Sequence, residues 1–592
     1  MKPTTHQNFC PQIFVYFTKT LVYGSLNIMS LKSLLIFTLG SLLADARPNV
    51  LFIAADDLND WIGCMGGNPQ SITPNFDRLA ASGQLFTNAH CIAPACNPSR
   101  SAIMTGISPH RSGLYGNRQK MREIMPDADL IPKHFSNNGY ETGGSGKLLH
   151  YFIDAPSWDH YFPKKSSENP LPETKYPDKR PLNLPVGGPW QYIETDWGGL
   201  DVTDEEFGGD HAVSEWVGKE LARKHEKPFF LACGIYRPHE PWFVPQKYFD
   251  KFPLADIQLP PGYKENDLDD LPTSGKKRGP NRYFPHIQKH GLWKQGIQGY
   301  LASINFADAM LGRVLDALEN GPNKDNTIVI LWSDHGWHLG EKEHWQKYTA
   351  WRACTRVPLM IKVPENCSPT LPAGTQAGTV YDQPVSLLSL YATATELCGL
   401  PEKKDIDSQS IVSILRDPSK PIQKSALTFL HDGGSVGVSA KDWRYIRYKD
   451  GQEELYDIKN DPYEWTNLAE YPNSAKKLAE LRREIPTKFA PIIPISDEGL
   501  GEAIFTPFTG EYPASPDEEG AYRTVFFNQT SAQVEVFKVS PTKKLKSLGM
   551  LAAGKKVTGK SRAGQIWIIK NADSTIRGHF KVLDRQVKAL IK

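Results

Sequence analysis

Asn49-Val50-Leu51-Phe52-Ile53-Ala54-Ala55-Asp56-Asp57 decides the fold class. Seven uncharged residues, mostly apolar, suit a strand buried on both faces, as strands inside parallel sheets are. Two adjacent carboxylates then stand at its carboxyl end, where open α/β sheets place their sites. Similar apolar runs follow at residues 228–234 and 327–332, the second ending in Ser333-Asp334-His335-Gly336. Between them, Leu301, Ile304, Met310, Leu311, Leu315 and Leu318 recur at helical spacing. Thr73-Pro74 opens a further helix, with Thr73 as its cap and Pro74 at the first helical position. Strands alternating with helices predict an α/β layer architecture.

At 592 residues the chain exceeds one compact core, and one large domain with appendages is expected. The formal net charge of +2 gives no single-sign field to the whole molecule, which argues against nucleic acid as a partner. A local basic rim would be hidden in that sum. Met29-Ser30-Leu31-Lys32, the apolar run Leu34 to Leu43 and Ala44-Asp45-Ala46 read as an export signal with its cleavage site. The apolar run is too short to span a bilayer comfortably. A secreted or periplasmic protein is therefore expected, free of the membrane after cleavage, with residues 1–28 as an upstream extension. Export permits disulfides. Spacing does not give their connectivity, although Cys64 and Cys91 flank the first loop and form the one pairing it suggests.

The stretch Cys96-Asn97-Pro98-Ser99-Arg100-Ser101-Ala102-Ile103-Met104-Thr105-Gly106 carries the chemistry. An isolated cysteine reads as a small buried hydrophobe. Here Pro98, Ser99, Arg100, Thr105 and Gly106 all occupy the positions of the type I sulfatase signature, C-x-P-S-R followed by T-G, and the chain resembles that family. The resemblance implies an alkaline phosphatase-like sulfatase fold, with a central mixed sheet flanked by helices and a smaller C-terminal α+β subdomain. It also implies that a formylglycine-generating enzyme oxidises Cys96 to Cα-formylglycine. One hydroxyl of the hydrated aldehyde attacks sulfur, and loss of the proton from the other expels sulfate.

Three further motifs follow in the family's order. Gly146-Lys147-Leu148-Leu149-His150 resembles its G-K-x-x-H element, with the two-residue spacer of the iduronate-2-sulfatase branch. Tyr236-Arg237-Pro238-His239-Glu240-Pro241 resembles its H-x-P segment, and Gly336 to Tyr348 resembles the branch's G-W-x-L-G-E…W-x-K-Y run. The resemblance implies that Asp56, Asp57, Asp334 and His335 bind calcium together with the modified Cys96. Carboxylates suit that hard cation; a histidine where the family often has Asn suits a softer one. Lys147 and Arg100 would then stabilise the formylglycine oxygens. His150 would bond the diol and take its proton, His239 would protonate the departing alcohol, and Lys347 would bind sulfate. His338 and His344 read as packing residues.

Glu454-Leu455-Tyr456-Asp457 through Pro462 resembles the C-terminal subdomain of sulfatases. Short strand-like runs at 525–528, 534–539 and 565–569 resemble a von Hippel-Lindau-type β domain, an appended small β sandwich that binds or packs. The domain reading is 1–46 extension and signal, 47–400 catalytic, 401–510 C-terminal subdomain and 521–585 β domain. Residues 155–210 and 255–296 read as long functional loops. The function expected is sulfate ester hydrolysis on a sulfated glycan. The alternatives are a phosphonate or phosphodiester hydrolase of the same superfamily, or an unmatured glycan-binding protein.

Overall fold

The computed structural model describes residues 47–165, 169–178, 181, 183, 195–421, 424–493, 500–516, 522–562, 564–582 and 587–592. The signal-like segment lies outside these residues. The central sheet has eight strands: β1 (Asn49–Ala55), β2 (Gln84–Phe86), β3 (Glu141–Gly146), β4 (His160–Phe162), β5 (Phe229–Ile235), β6 (Thr327–Ser333), β7 (Leu359–Lys362) and β8 (Thr379–Tyr381). Their order across the sheet is β8-β2-β7-β6-β1-β5-β3-β4. β1 pairs in parallel with both β5 and β6, while β7 runs antiparallel to β6 and β2, so the sheet is mixed.

β1 is buried along its whole length and alternates its side chains between two cores. Val50, Phe52 and Ala54 enter one, and Leu51, Ile53 and Ala55 the other. On the first face lies α1 (Cys96–Thr105), through Ala102, Ile103 and Met104. On the second lies α2 (Trp293–Glu319), a 27-residue helix with Leu301, Ile304, Met310, Leu311, Leu315 and Leu318 buried. α2 begins eight residues before the helical spacing that starts at Leu301, because its first two turns carry Trp293, Gly296 and Ile297 against the same core.

The helix at Pro74–Ser82 has Pro74 at its first position, as the sequence predicts. Its cap differs. Thr73 Oγ1 accepts from Gly63 N at 2.8 Å instead, and the free amides of Asn75 and Phe76 are taken by Asp308 Oδ1, both at 2.9 Å. A carboxylate delivered by α2 replaces the local hydroxyl. Cys64 and Cys91 are both free thiols, which corrects the suggested pairing. Cys64 N instead bonds Asp77 Oδ1 at 2.7 Å, and Cys91 Sγ faces the Cys354 carbonyl.

A four-stranded antiparallel sheet spans Ala426–Phe429, Val436–Ser439, Trp443–Arg447 and Glu453–Asp457. Val436, Val438, Tyr445 and Leu455 join the first core, together with Leu478 and Leu481 of the following helix. The last region forms two sheets of four and five strands around Phe526, Val536, Trp567, Ile569 and Phe580. Strand pairing carries this sandwich from Gly501 to Ile591, past both ends of the 521–585 span. No helix among the described residues is long and apolar enough to cross a membrane.

Candidate active site

The carboxyl ends of β1, β3, β5 and β6 and the start of α1 converge on Cys96. Cys96 is the first residue of α1. Its Sγ lies 3.1 Å from Lys347 Nζ, 3.3 Å from His335 Nε2 and 3.9 Å from Lys147 Nζ. Burial opposes a thiolate, but Lys147, Lys347 and His335 hold the Cys96 thiol well below its usual range. The sulfur atom marks where the oxygens of an oxidised side chain would sit.

Arg100 organises the floor. Its Nε donates to Asp334 Oδ2 at 2.7 Å and one Nη to Asp56 Oδ1 at 3.0 Å, with all three side chains fully buried. Its other Nη donates to the carbonyls of Lys147 and Leu148. Lys147 Nζ pairs with Asp56, and Lys347 Nζ with Asp57 Oδ1 at 2.8 Å. Three buried carboxylates thus face three buried cations. Burial of this kind is tolerated only with complete pairing.

Local backbone geometry aims these groups. Asp57 has φ 60°, a left-handed conformation that turns it away from Asp56. It is pinned by Tyr300 Oη, which donates to Asp57 O at 2.7 Å and accepts from Asn59 N. Lys147 follows Gly146 (φ 74°), where a Cβ would fall 2.1 Å from Gly234 O; only glycine lets β3 and β5 end that close. Lys347 sits between Gln346 (φ 81°) and Tyr348 (φ 77°), two strained residues of the kind that cluster at functional sites. Ser99 Oγ donates to Asp334 O at 2.6 Å, tying α1 to the end of β6.

The histidines divide by their second nitrogen. His335 Nδ1 bonds Gly336 O at 3.1 Å, so Nε2 faces Asp57 Oδ1 and Asp334 Oδ2 at 3.4 and 3.5 Å. His239 Nδ1 bonds Glu240 O at 2.6 Å and presents Nε2 at 3.7 Å from Asp57 Oδ2. Burial opposes the charging of His239, as do Lys147 and Lys347, but the Asp57 and Asp56 carboxylates raise its pKa on balance. Burial lowers that of His150, against the raising effect of its hydrogen bond to Cys96. His338 and His344 stay out of this cluster, as the sequence suggests. His338 bonds Thr349 Oγ1 and Glu341 O, and His344 lies against Arg278 O and Lys347 O.

The structure thus brings together every residue the sequence singled out: Asp56, Asp57, Cys96, Arg100, Lys147, His150, His239, Asp334, His335 and Lys347. Asp56, Cys96, Asp334 and His335 place their donor atoms within 4.8 Å of one another, as do Asp56, Asp57, Cys96 and His239. Asp57 Oδ2 is buried without a hydrogen-bond partner. Three carboxylates, one of them with an unclaimed oxygen, and one imidazole can hold a divalent cation. Sequence reasoning missed Tyr300 and Ser99 as positioning residues. It also missed Tyr151 and Tyr236, whose rings lie 4.5 and 5.1 Å from Lys147 Nζ. Tyr300 and Tyr151 lie outside the motifs, and Ser99 and Tyr236 lie within them without an assigned role.

Comparison with known proteins agrees with this geometry. A family model described as Sulfatase matches residues 48–400, and one described as N-sulphoglucosamine sulphohydrolase, C-terminal, matches residues 340–489. The chain is 40% identical over 450 residues to a sulfatase of Formosa agariphila, covering 74% of this chain and 86% of that protein. It is 29% identical to iduronate 2-sulfatase of Mus musculus, covering 72% and 78%. Among solved structures, a protein in complex with its substrate D-glucosamine-2-N,6-O-disulfate shares the fold at TM-score 0.57 and 22% identity, covering 74% of this chain and 96% of that one. The phosphonate monoester hydrolase of Agrobacterium radiobacter does so at 0.58 and 21%, with the same coverage.

Proposed function

The chain belongs to the sulfatase family and is a sulfuric ester hydrolase, and from that premise we propose that it removes sulfate from a sulfated glycan through a formylglycine made from Cys96. One observation carries this reading: the Cys96 side chain is enclosed by Lys347, His335, Lys147 and His150, above three buried carboxylates. An ordinary structural thiol is instead surrounded by apolar groups. Relatives named iduronate 2-sulfatase and N-acetylglucosamine-6-O-sulfatase support a glycan as substrate.

Each residue then has a defined task. The hydrated aldehyde supplies the attacking oxygen. Lys347 and Lys147, within reach of the Cys96 side chain, hold that oxygen and a sulfate oxygen and offset the charge growing there. The S–O bond to the alcohol breaks as His239 Nε2 gives its proton to the leaving oxygen. His150, whose pKa burial lowers, takes the proton of the second hydroxyl, which reforms the carbonyl and releases sulfate. Arg100 reaches both Asp56 and Asp334 and so fixes the floor beneath.

Charge counting supports a divalent ion at Asp56, Asp57, Asp334 and His335. Arg100, Lys147 and Lys347 are already spent on Asp334, Asp56 and Asp57. An entering sulfate ester needs further positive charge, which a calcium ion held by the three carboxylates and His335 would supply as a Lewis acid. Cys96→Ala tests the reading. It should abolish sulfate release from 4-nitrophenyl sulfate while leaving the melting temperature nearly unchanged; sulfate release at the wild-type rate would refute it. In the same assay the wild type should turn over the aryl sulfate faster than an aryl phosphodiester, and the reverse order would favour a phosphodiester hydrolase.

A further inference from the structure

Charge is unevenly distributed along this chain. Residues 522–592 hold fifteen Lys and Arg against three Asp and Glu, a formal +12, and the sandwich as a whole from Gly501, with five more acids, carries +7, while the whole protein carries only +2. This segment makes up most of the terminal β sandwich and lies beyond the residues that the two family models match.

The strands place like charges side by side. Lys538 stands directly opposite Lys546 in one sheet, and Arg523 directly opposite Lys560 in the other. Directly opposed like charges destabilise a sheet, so the Lys538–Lys546 pair carries a cost in the free protein. Lys538 Nζ also donates to Lys560 O at 2.8 Å, which draws the cations of the two sheets together. Burial, and then Arg562 and Lys546, lower the pKa of Lys538, as expected where cations crowd. Exposed lysines Lys543, Lys544, Lys555 and Lys556, the last at the start of a strand, flank the cluster. Glu535, the one acid on these four strands, is bonded by Ser547 and stands opposite Lys570.

We propose that this sandwich binds the polyanionic chain of a sulfated polysaccharide, with Lys538, Lys546, Lys560, Arg523 and Arg562 as the cationic face. The choice of that polymer over other polyanions rests on the sulfatase reading given above. Sulfate groups spaced along a chain neutralise several lysines at once and release condensed counterions, so affinity falls steeply with salt. Binding on the same chain as the catalytic site raises the local concentration of ester groups.

The test uses the full mature chain, a heparin dodecasaccharide as probe, and hyaluronan and a DNA duplex as unsulfated polyanions. The variant Lys543→Gln/Lys544→Gln/Lys546→Gln changes only exposed side chains. It should weaken heparin binding at least 10-fold and make its salt dependence shallower. Its kcat/KM on 4-nitrophenyl sulfate should stay within 2-fold of wild type. Because the variant keeps that activity only if it folds, a loss of binding reports on charge. Heparin binding unchanged in the variant would overturn the proposal, as would a DNA duplex binding as tightly as heparin. A wild type that binds heparin through these lysines yet never releases sulfate would support the binding role and refute the catalytic reading alone.

Discussion

Replacing Arg100 by methionine keeps an elongated side chain in place and strands two carboxylates. The guanidinium is fully buried, 2.7 Å from Asp334 and 3.0 Å from Asp56. Breaking a buried pair from one side costs about 3–5 kcal/mol, because the remaining charge stays out of water. Asp56 keeps Lys147 and Asp334 keeps His335, which puts the cost toward the lower end. A cooperative unit of roughly 440 residues has an unfolding entropy near ~0.9 kcal/mol/K, so about 3–5 kcal/mol lowers Tm by about 3–5 °C. Thermal melting of Arg100→Met beside wild type reads this directly. Arg100→Lys keeps a charge but not the fork that reaches both acids, and should recover less than half of the loss. Sulfate release should fall about 10²–10³-fold in the methionine variant. A methionine variant melting within 1 °C of wild type would contradict the pairing scheme on which the site is built.

Other outcomes follow from the same geometry. His239→Gln should slow alkyl sulfate hydrolysis about 10²–10⁴-fold but barely affect 4-nitrophenyl sulfate, whose leaving group needs no proton; equal losses on both would remove the acid role. Dialysis against a chelator should lower both Tm and sulfate release, and calcium should restore both; full activity in metal-free protein would exclude the divalent site. Asp308→Ala strips the cap from the Pro74–Ser82 helix and should cost about 1–3 kcal/mol in denaturant unfolding. Burial raises the Asp308 pKa to about 6, so the fold holds a proton there that the unfolded chain releases. Between pH 6 and 4, stability should therefore rise as pH falls in wild type relative to Asp308→Asn, and a parallel pH dependence in the two would refute the assignment.

The legible parts of this chain were those written locally. β1, β5 and β6 each show an unbroken apolar run because both of their faces are covered, and their acids and cations lie at strand ends where the sheet delivers them. The candidate site residues sit in short motifs, so the chemistry they suggest was readable before their distances were. What escaped depends on long-range contact. Asp308 caps a helix more than 230 residues away. Tyr300 pins a strained aspartate from the middle of α2, and nothing in its own neighbourhood distinguishes it from a core tyrosine. The pairs of positive-φ residues around Lys347 are imposed by the fold on residues with no such preference. The basic terminal sandwich was hidden by summing charge over the whole chain.

The most direct test of the central claim is the mass of the peptide spanning residues 90–110 from fully active protein. Conversion of the Cys96 thiol to an aldehyde lowers that mass by ~18 Da, and the peptide should then form a hydrazone with an aldehyde-specific reagent. The same peptide carrying an unmodified, alkylatable thiol in protein that turns over sulfate esters at full rate would contradict the account.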